Sequence, residues 1–361
     1  MKPFSVHVED AVLEDLRRRL ADTRWPDEPP GAGWEQGAPL HHVRALAERW
    51  RSGFDWRQAE AALNALTQFT APVSGIDLHF VAEGASGPPV VCLHGWPSSV
   101  WEFHRLVPRL REDMQVVVPS LPGYGFSFAP GQRRFGVVDM AEAIHALMTG
   151  VLGHERYLVV GGDWGASIAC RLAYAHPEAV AALHLYMMPL RRPETWPESL
   201  ADSRAALQAW QLEEGGYGAI QGTRPQTLAY GLSDSPAGLL AWIAEKFEVW
   251  TDASLDPGDV LATATIYWAT QTIGASFWPY FSRIHGEWVL DDVAAAGERI
   301  AAPLTYLDFP RELIHVPREI VETLFTVERW DTPRHGGHFP ALEQTELLAR
   351  SVREFSRSPR S

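Results

Sequence analysis

The chain has 361 residues, of which 46% are hydrophobic and 21% charged, the composition of an ordinary soluble globular protein. Its formal charge of −14, with no basic stripe, argues against a nucleic acid partner, because phosphate binding needs clustered Lys and Arg side chains. No run reaches the roughly 18 consecutive apolar residues of a membrane span, and the start of the chain lacks the apolar core of a signal peptide, so we expect a cytoplasmic protein without membrane contact.

Residues 1–74 are predicted to form a helical N-terminal extension. Leucines recur at helical spacing after residue 10, and the Pro-rich sequence at 25–31 ends that helix. Two further helical patterns follow at about 40–51 and 56–66. The spacing of apolar residues changes after this point, which indicates a boundary near residue 74.

From residue 75 the pattern alternates between strands and helices. Strand patterns and helical patterns occur in turn, and the strands are expected at 76–81, 89–93, 115–118, 157–160, 182–186, 303–308 and 324–327, with helices at about 99–111, 138–152, 165–176 and 340–356. Such alternation is typical of an α/β fold with a mostly parallel, doubly wound sheet.

The segment 188–290 has no strand pattern and is predicted to be a helical lid inserted above the sheet. The expected organisation is therefore a helical extension at 1–74, an α/β core at 75–187 and 291–361, and a lid at 188–290. The extension could pack on the lid, mediate a homodimer, or both.

The sequence GGDWG at 161–165 lies between an apolar strand and a helical pattern. A sharp strand-to-helix turn of this kind usually presents a serine nucleophile, and small residues at Gly161 and Gly165 allow the two backbones to approach. Here the central residue is Asp163. A carboxylate suits displacement at a saturated carbon, with an epoxide opened or a halide expelled and an ester left for water to cleave. The alternative is a tight turn with a capping aspartate.

The loop HGWP at 94–97 follows the strand 89–93 and should reach the same edge of the sheet as the turn. Backbone amides of Trp96 and Trp164 would then form an oxyanion hole for ester hydrolysis. The loop could equally serve only to turn the chain.

A general base is expected near the end of the chain, after the last strand. His335 and His338 both lie there, and His338 is better placed because glycines and the start of a helix adjoin it. A carboxylate must orient the base. Asp308 and Glu312 follow the strand 303–308, and the pattern does not separate them.

Opening an epoxide produces an alkoxide, so the lid should offer acids that remain neutral at pH 7, as phenols do. The lid contains Tyr217, Tyr230, Tyr267 and Tyr280. Each of them could instead serve packing.

Together these motifs resemble the microsomal-type epoxide hydrolases, a family of α/β-hydrolases with a helical N-terminal extension. The resemblance covers nearly the whole chain, and the matching motifs are DTRWP (22–26), FDWR (54–57), HGWP (94–97), PGYGFS (122–127), GGDWG (161–165), LSDSPAG (232–238) and GGHF (336–339).

The resemblance implies a role for each site residue. It assigns the nucleophile to Asp163, the base to His338, the orienting acid to Glu312 and the phenols that activate the oxirane to Tyr217 and Tyr280, of which Tyr280 lies in the less similar surroundings. It also implies a cis peptide before Pro97, an epoxide and water as the reactants, and no metal or cofactor. Family members often have a membrane anchor ahead of the extension, and none precedes it here, which favours a soluble form.

The abundance of Trp and Phe predicts an apolar or aromatic epoxide, converted to a vicinal diol. Two other functions remain open. A haloalkane dehalogenase shares the aspartate turn but needs halide donors, whereas the lid here offers phenols. A hydrolase-like protein without activity would bind an apolar ligand or signal.

Overall fold

The computed structural model describes residues 1–190, 192, 194 and 196–357. The strands are β1 (Lys2–Phe4), β2 (Gln68–Val73), β3 (Ile76–Glu83), β4 (Pro89–Leu93), β5 (Gln115–Pro119), β6 (Tyr157–Gly161), β7 (Val180–Leu185), β8 (Leu304–Leu307) and β9 (Val327–Asp331). They form one sheet in the order β1-β2-β3-β5-β4-β6-β7-β8-β9. In this order, β5, β4, β6, β7, β8 and β9 run parallel to one another, and β1, β2 and β3 form an antiparallel edge.

The helices before the lid are α1 (Asp10–Ala21), α2 (Leu40–Glu48), α3 (Trp56–Asn64), α4 (Val107–Leu110), α5 (Val137–Ala146) and α6 (Asp163–Ala175). Those of the lid are α7 (Ala201–Glu214), α8 (Gly216–Thr223), α9 (Pro225–Asp234), α10 (Pro236–Val249), α11 (Pro257–Thr270) and α12 (Trp278–Ile284). The chain continues with α13 (Leu290–Ala295), α14 (Arg318–Leu324), α15 (Pro340–Glu343) and α16 (Thr345–Arg357).

The doubly wound architecture follows from the apolar run of the central strands. In β4, Val91 and Leu93 belong to one hydrophobic core, whereas Val90 and Cys92 belong to a second core on the other face of the sheet. All four are fully buried. Because side chains alternate along a strand, an uninterrupted apolar run needs cover on both faces. The predicted α/β-hydrolase class, with its helical lid and extension, is confirmed.

Two regions differ from the sequence-based expectation. The extension contains strands β1 and β2 as well as helices, and β2 includes Pro72, a residue that weakens a strand pattern. The strand expected at 324–327 was misplaced, since β9 begins at Val327. The apolar Leu324 instead ends helix α14, fully buried.

The extension is joined to the lid by a buried hydrogen bond. The indole N–H of Trp50, which follows α2, donates to Oγ1 of Thr265 on α11 at 2.8 Å. Arg19 of α1 also pairs with Asp234 at the end of α9, at 2.7 Å. Within the described residues of the lid segment the structure has helices and no strand.

Membrane-crossing helices are absent from the part of the chain that the structure describes, because none of its helices is both long and apolar enough.

Candidate active site

Asp163 lies at the tight turn between β6 and α6. Its φ is +47°, in the left-handed region that a residue with a Cβ seldom adopts. The turn is held by close packing. A Cβ on Gly165 would lie 2.1 Å from the carbonyl oxygen of Leu93, and one on Gly161 would lie 2.8 Å from the backbone of Gly165. This strained conformation projects the Asp163 side chain out of the sheet edge.

The loop after β4 holds one oxygen of this carboxylate. The Trp96 amide donates to Oδ1 of Asp163 at 2.8 Å. The contact requires a glycine before it, because a Cβ on Gly95 would lie 2.3 Å from that same oxygen. The Trp96–Pro97 peptide is cis, which confirms that expectation. The Trp164 amide belongs to the first turn of α6, where amides lack an acceptor within the helix.

His338 faces Asp163 from the loop before α15. Its Nδ1 lies 2.7 Å from Oε1 of Glu312, and its Nε2 lies 3.7 Å from Oδ2 of Asp163. The side chains of both His338 and Glu312 are at most 1% exposed. The imidazole therefore lies between two carboxylates. It is within hydrogen-bond distance of Glu312 and 3.7 Å from Asp163.

The structure separates the acids and histidines that the sequence left open. Asp308 pairs with His315 at 2.8 Å rather than with His338. The side chain of His335 is 76% exposed and lies 3.3 Å from Asp252.

The electrostatic environment favours a charged imidazole in the free enzyme. Burial by itself lowers the pKa of His338, but Glu312 first, then Asp163 and Glu102, outweigh it and raise the pKa to about 9. An imidazolium therefore balances the two buried carboxylates at neutral pH. Neutralising the Asp163 carboxylate would remove one of the charges that raise this pKa.

Two of the four lid tyrosines pack against each other and against Trp96 and Trp164. The rings of Tyr217 on α8 and Tyr280 on α12 have centroids 5.8 Å apart. Trp96 stacks on Tyr217 at 5.4 Å, and Trp164 meets Tyr280 edge-on at 4.7 Å. Burial raises the pKa of Tyr280 well above its ordinary value, so this phenol stays neutral and can donate a hydrogen bond.

The other two lid tyrosines are placed elsewhere. Tyr230 is 71% exposed on α9. Tyr267 is buried, and its hydroxyl donates to the carbonyl oxygen of Ser98 at 3.0 Å, which fixes the loop after β4. Both are therefore separated from the opposed pair, one by exposure and the other by its structural bond.

A chamber of about 400 Å³ adjoins the two phenols on their outer side. Tyr217 and Tyr280 form its inner wall, and the side chains of Trp210, Ile284 and Val289 give it apolar surface. A small apolar molecule could approach the phenols through this chamber.

Two residues near Asp163 were not anticipated from the sequence. Trp250 packs edge-on against the His338 ring at 5.1 Å, and its carbonyl oxygen accepts from the His338 amide at 2.9 Å. Glu102 lies in the short 3₁₀ turn Val100–Phe103 and is only 3% exposed. The signal for Glu102 was present, since an acid between Trp101 and Phe103 is unusual in an apolar stretch.

Metal binding has no obvious place here. Among the described residues, no cluster of three or more His, Cys, Asp or Glu side chains is arranged to hold an ion.

The sheet order and the carboxylate at the β6–α6 turn define an α/β-hydrolase. A family model described as alpha/beta hydrolase fold matches residues 88–269, and one described as Epoxide hydrolase N terminus matches residues 1–103. With relatives that share about a third of its residues over nearly the whole length, the chain belongs to the epoxide hydrolases of the microsomal type.

Three similar proteins illustrate the match. Epoxide hydrolase 1 of Oryctolagus cuniculus is 31% identical over 98% of this chain and 88% of its own. The structure of Aspergillus niger epoxide hydrolase is 30% identical with a TM-score of 0.88, covering 98% of this chain and 95% of that one. The juvenile hormone epoxide hydrolase of the silkworm Bombyx mori is 28% identical with a TM-score of 0.87, covering 98% and 93%.

Proposed function

We propose that this enzyme hydrolyses an apolar or aromatic epoxide to a vicinal diol through a covalent ester on Asp163. The observation that carries the proposal is the position of the Asp163 carboxylate. The Trp96 amide donates to it, the Glu312–His338 pair faces it, and the rings of Tyr217 and Tyr280 pack on Trp96 and Trp164 beside it. A carboxylate nucleophile, a base for water and two acids for an alkoxide are the groups that epoxide opening and ester hydrolysis need.

The first step is nucleophilic opening of the oxirane. Oδ1 of Asp163 is held by the Trp96 amide, so Oδ2 is the oxygen left to attack carbon. The carbon–oxygen bond of the ring breaks, and its oxygen takes a proton from one of the two phenols. The products are a hydroxyalkyl ester on Asp163 and a phenolate.

The second step is hydrolysis of that ester. The imidazolium first gives its proton, through solvent, to the phenolate, so that His338 is neutral. Water then gives one proton to Nε2 of His338 and attacks Cγ of Asp163, while the Trp96 and Trp164 amides stabilise the oxyanion. The bond between Cγ and Oδ2 breaks, Oδ2 leaves with the diol and takes the proton from His338, and the oxygen of the water remains on Asp163. The new carboxyl group gives its proton to His338, which restores the carboxylate and the imidazolium of the free enzyme.

The side chains around the site support an apolar substrate. Trp96, Trp250 and Phe277 are fully or almost fully buried around Tyr217 and Tyr280. Such a pocket favours hydrophobic and aromatic groups and excludes bulk water, which strengthens the electrostatic contacts at the reacting atoms. The opposed phenols favour an oxygen leaving group over a halide.

The test is the intact mass of a His338→Gln variant incubated with matched panels of aromatic epoxides and haloalkanes. Loss of the base should trap the ester, so the mass should increase by one whole epoxide. A His335→Gln variant, altered at the exposed histidine nearby, is the control and should turn over normally. An adduct of an alkyl group without its halide would indicate a dehalogenase. A folded variant that forms no adduct with either panel would overturn the proposal and favour a protein that only binds a ligand.

A further inference from the structure

Glu102 is a buried acid beside the nucleophile with no part in the mechanism above. It follows the HGWP loop by five residues, and its Oε1 accepts a hydrogen bond from the phenol of Tyr186 at 3.2 Å. Burial raises the pKa of Glu102 to about 7. Placing a carboxyl group in a nearly water-free interior is unfavourable unless it is well paired or used.

Glu102 lines the same narrow recess as the reacting groups, and the recess must widen by side-chain movement before it can hold a water molecule. The walls of this recess include Ser98, Asp163, Tyr186 and His338. The hydroxyl of Ser98 faces the Glu102 carboxyl, yet this buried oxygen makes no well-formed hydrogen bond within the described residues. Two polar side chains from the loop and turn after β4 are thus directed at the side of Asp163 that His338 also faces.

The attacking water needs more than a base. Its oxygen must point a lone pair at Cγ of Asp163, and its two O–H groups must each find an acceptor, because an unmade hydrogen bond in a buried site is unfavourable. His338 accepts one of them. Along the recess, Glu102 is the remaining carboxylate once Asp163 has become an ester.

We propose that Glu102, assisted by Ser98, accepts the second hydrogen of the hydrolytic water and holds that water in line with Cγ of Asp163. The inference rests on the proposed ester mechanism. Ester formation itself prepares this contact, since it removes the negative charge of Asp163 that opposes ionisation of Glu102. The imidazolium that forms as His338 takes its proton stabilises the Glu102 carboxylate further.

The experiment separates the two chemical steps in a Glu102→Met variant, using styrene oxide as the probe epoxide. Rapid quenching followed by intact mass gives the rate of ester formation and the rate of its decay. Ester formation should stay within about threefold of the parent enzyme, and decay should slow by roughly 100-fold, the usual effect of a misplaced reactant. The ester should therefore accumulate at steady state.

Three further variants define the effect. Glu102→Gln keeps an acceptor oxygen and should recover part of the decay rate, and Ser98→Ala should slow decay less than Glu102→Met. Glu60→Gln is the matched control. Glu60 is also buried, at 8% exposure, but it lies in the extension and accepts from the Val8 amide.

The outcomes are distinct. Equal slowing of both steps, or unchanged decay in folded Glu102→Met and Glu102→Gln proteins, would overturn the role of Glu102. If His338→Gln accumulates the ester in the same assay, the mechanism itself stands whatever Glu102 does. If His338→Gln forms no ester, the proposed mechanism fails first.

Discussion

Exchanging Glu312 for Gln should impair ester hydrolysis and spare ester formation. Glu312 is the largest of the influences that raise the pKa of His338 from its ordinary 6.5 to about 9, and burial acts in the opposite direction. Without the carboxylate the pKa of the imidazole falls, and the ring is a weaker base towards water. The 2.7 Å contact that orients the ring is also lost, so we expect decay to slow about 100-fold or more.

The matched comparison is Asp308→Asn, four positions earlier. Asp308 bonds His315 rather than His338, so this change should leave both chemical steps within about twofold. Stopped-flow fluorescence suits the assay, because Trp96 and Trp164 contact the reacting groups and should report formation and decay of the ester as separate phases. An Asp308→Asn enzyme with slow decay, or a Glu312→Gln enzyme with normal decay, would refute the assignment of Glu312.

Three other predictions concern Tyr280, the pH dependence of ester decay and Gly165. Tyr280→Phe should slow ester formation by roughly 100-fold, as loss of one donor to a developing oxyanion does. Tyr267→Phe is the control and should chiefly lower the midpoint of thermal unfolding. Equal rates of ester formation in the two variants would argue against the assignment of the Tyr280 phenol. The rate of ester decay should fall as the pH drops through the pKa that His338 has in the ester form, because the protonated ring cannot act as a base. This pKa should lie below the value of about 9 in the free enzyme, since the Asp163 charge is gone. The rate of ester formation, measured over the same pH range, should not show this transition. Gly165→Ala should lower the free energy of unfolding by about 1–3 kcal/mol, because its Cβ would lie 2.1 Å from a backbone oxygen of β4; urea denaturation measures this, and an unchanged midpoint would contradict the close approach.

The nucleophile turn and the loop after β4 were predictable because their information is local. Gly161 and Gly165, each two positions from Asp163 and between an apolar strand and a helix, leave few alternatives for the backbone. The residues around Asp308 and Glu312 do not show which of the two acids reaches His338. Asp308 and Glu312 both follow β8, and only the path of the loop beyond Phe309 decides that Glu312 reaches the histidine.

The lid and the extension were harder for a similar reason. Four tyrosines occur on helices whose packing the pattern does not give, and the pair that meets does so because α8 and α12 pack against each other. Strand β1 has only three residues and exists through its pairing with β2, 65 or so positions away. Glu102 lies between Trp101 and Phe103, which hints at burial, but the sequence does not show that the fold places this acid beside Asp163.

The bond from Trp50 to Thr265 links parts of the chain 215 positions apart. The extension also supplies β1 and β2 to one edge of the sheet, so it contacts both the sheet and the lid. These contacts should couple the unfolding of the extension to that of the lid. We expect the amides of α11 to exchange with solvent at the same free energy as those of α2, because opening either requires the indole to leave its shared contact. The lid and the extension would then unfold in one cooperative event. Access to Asp163 would depend on side-chain movement at the chamber beside Tyr217 and Tyr280, and not on opening of the whole lid.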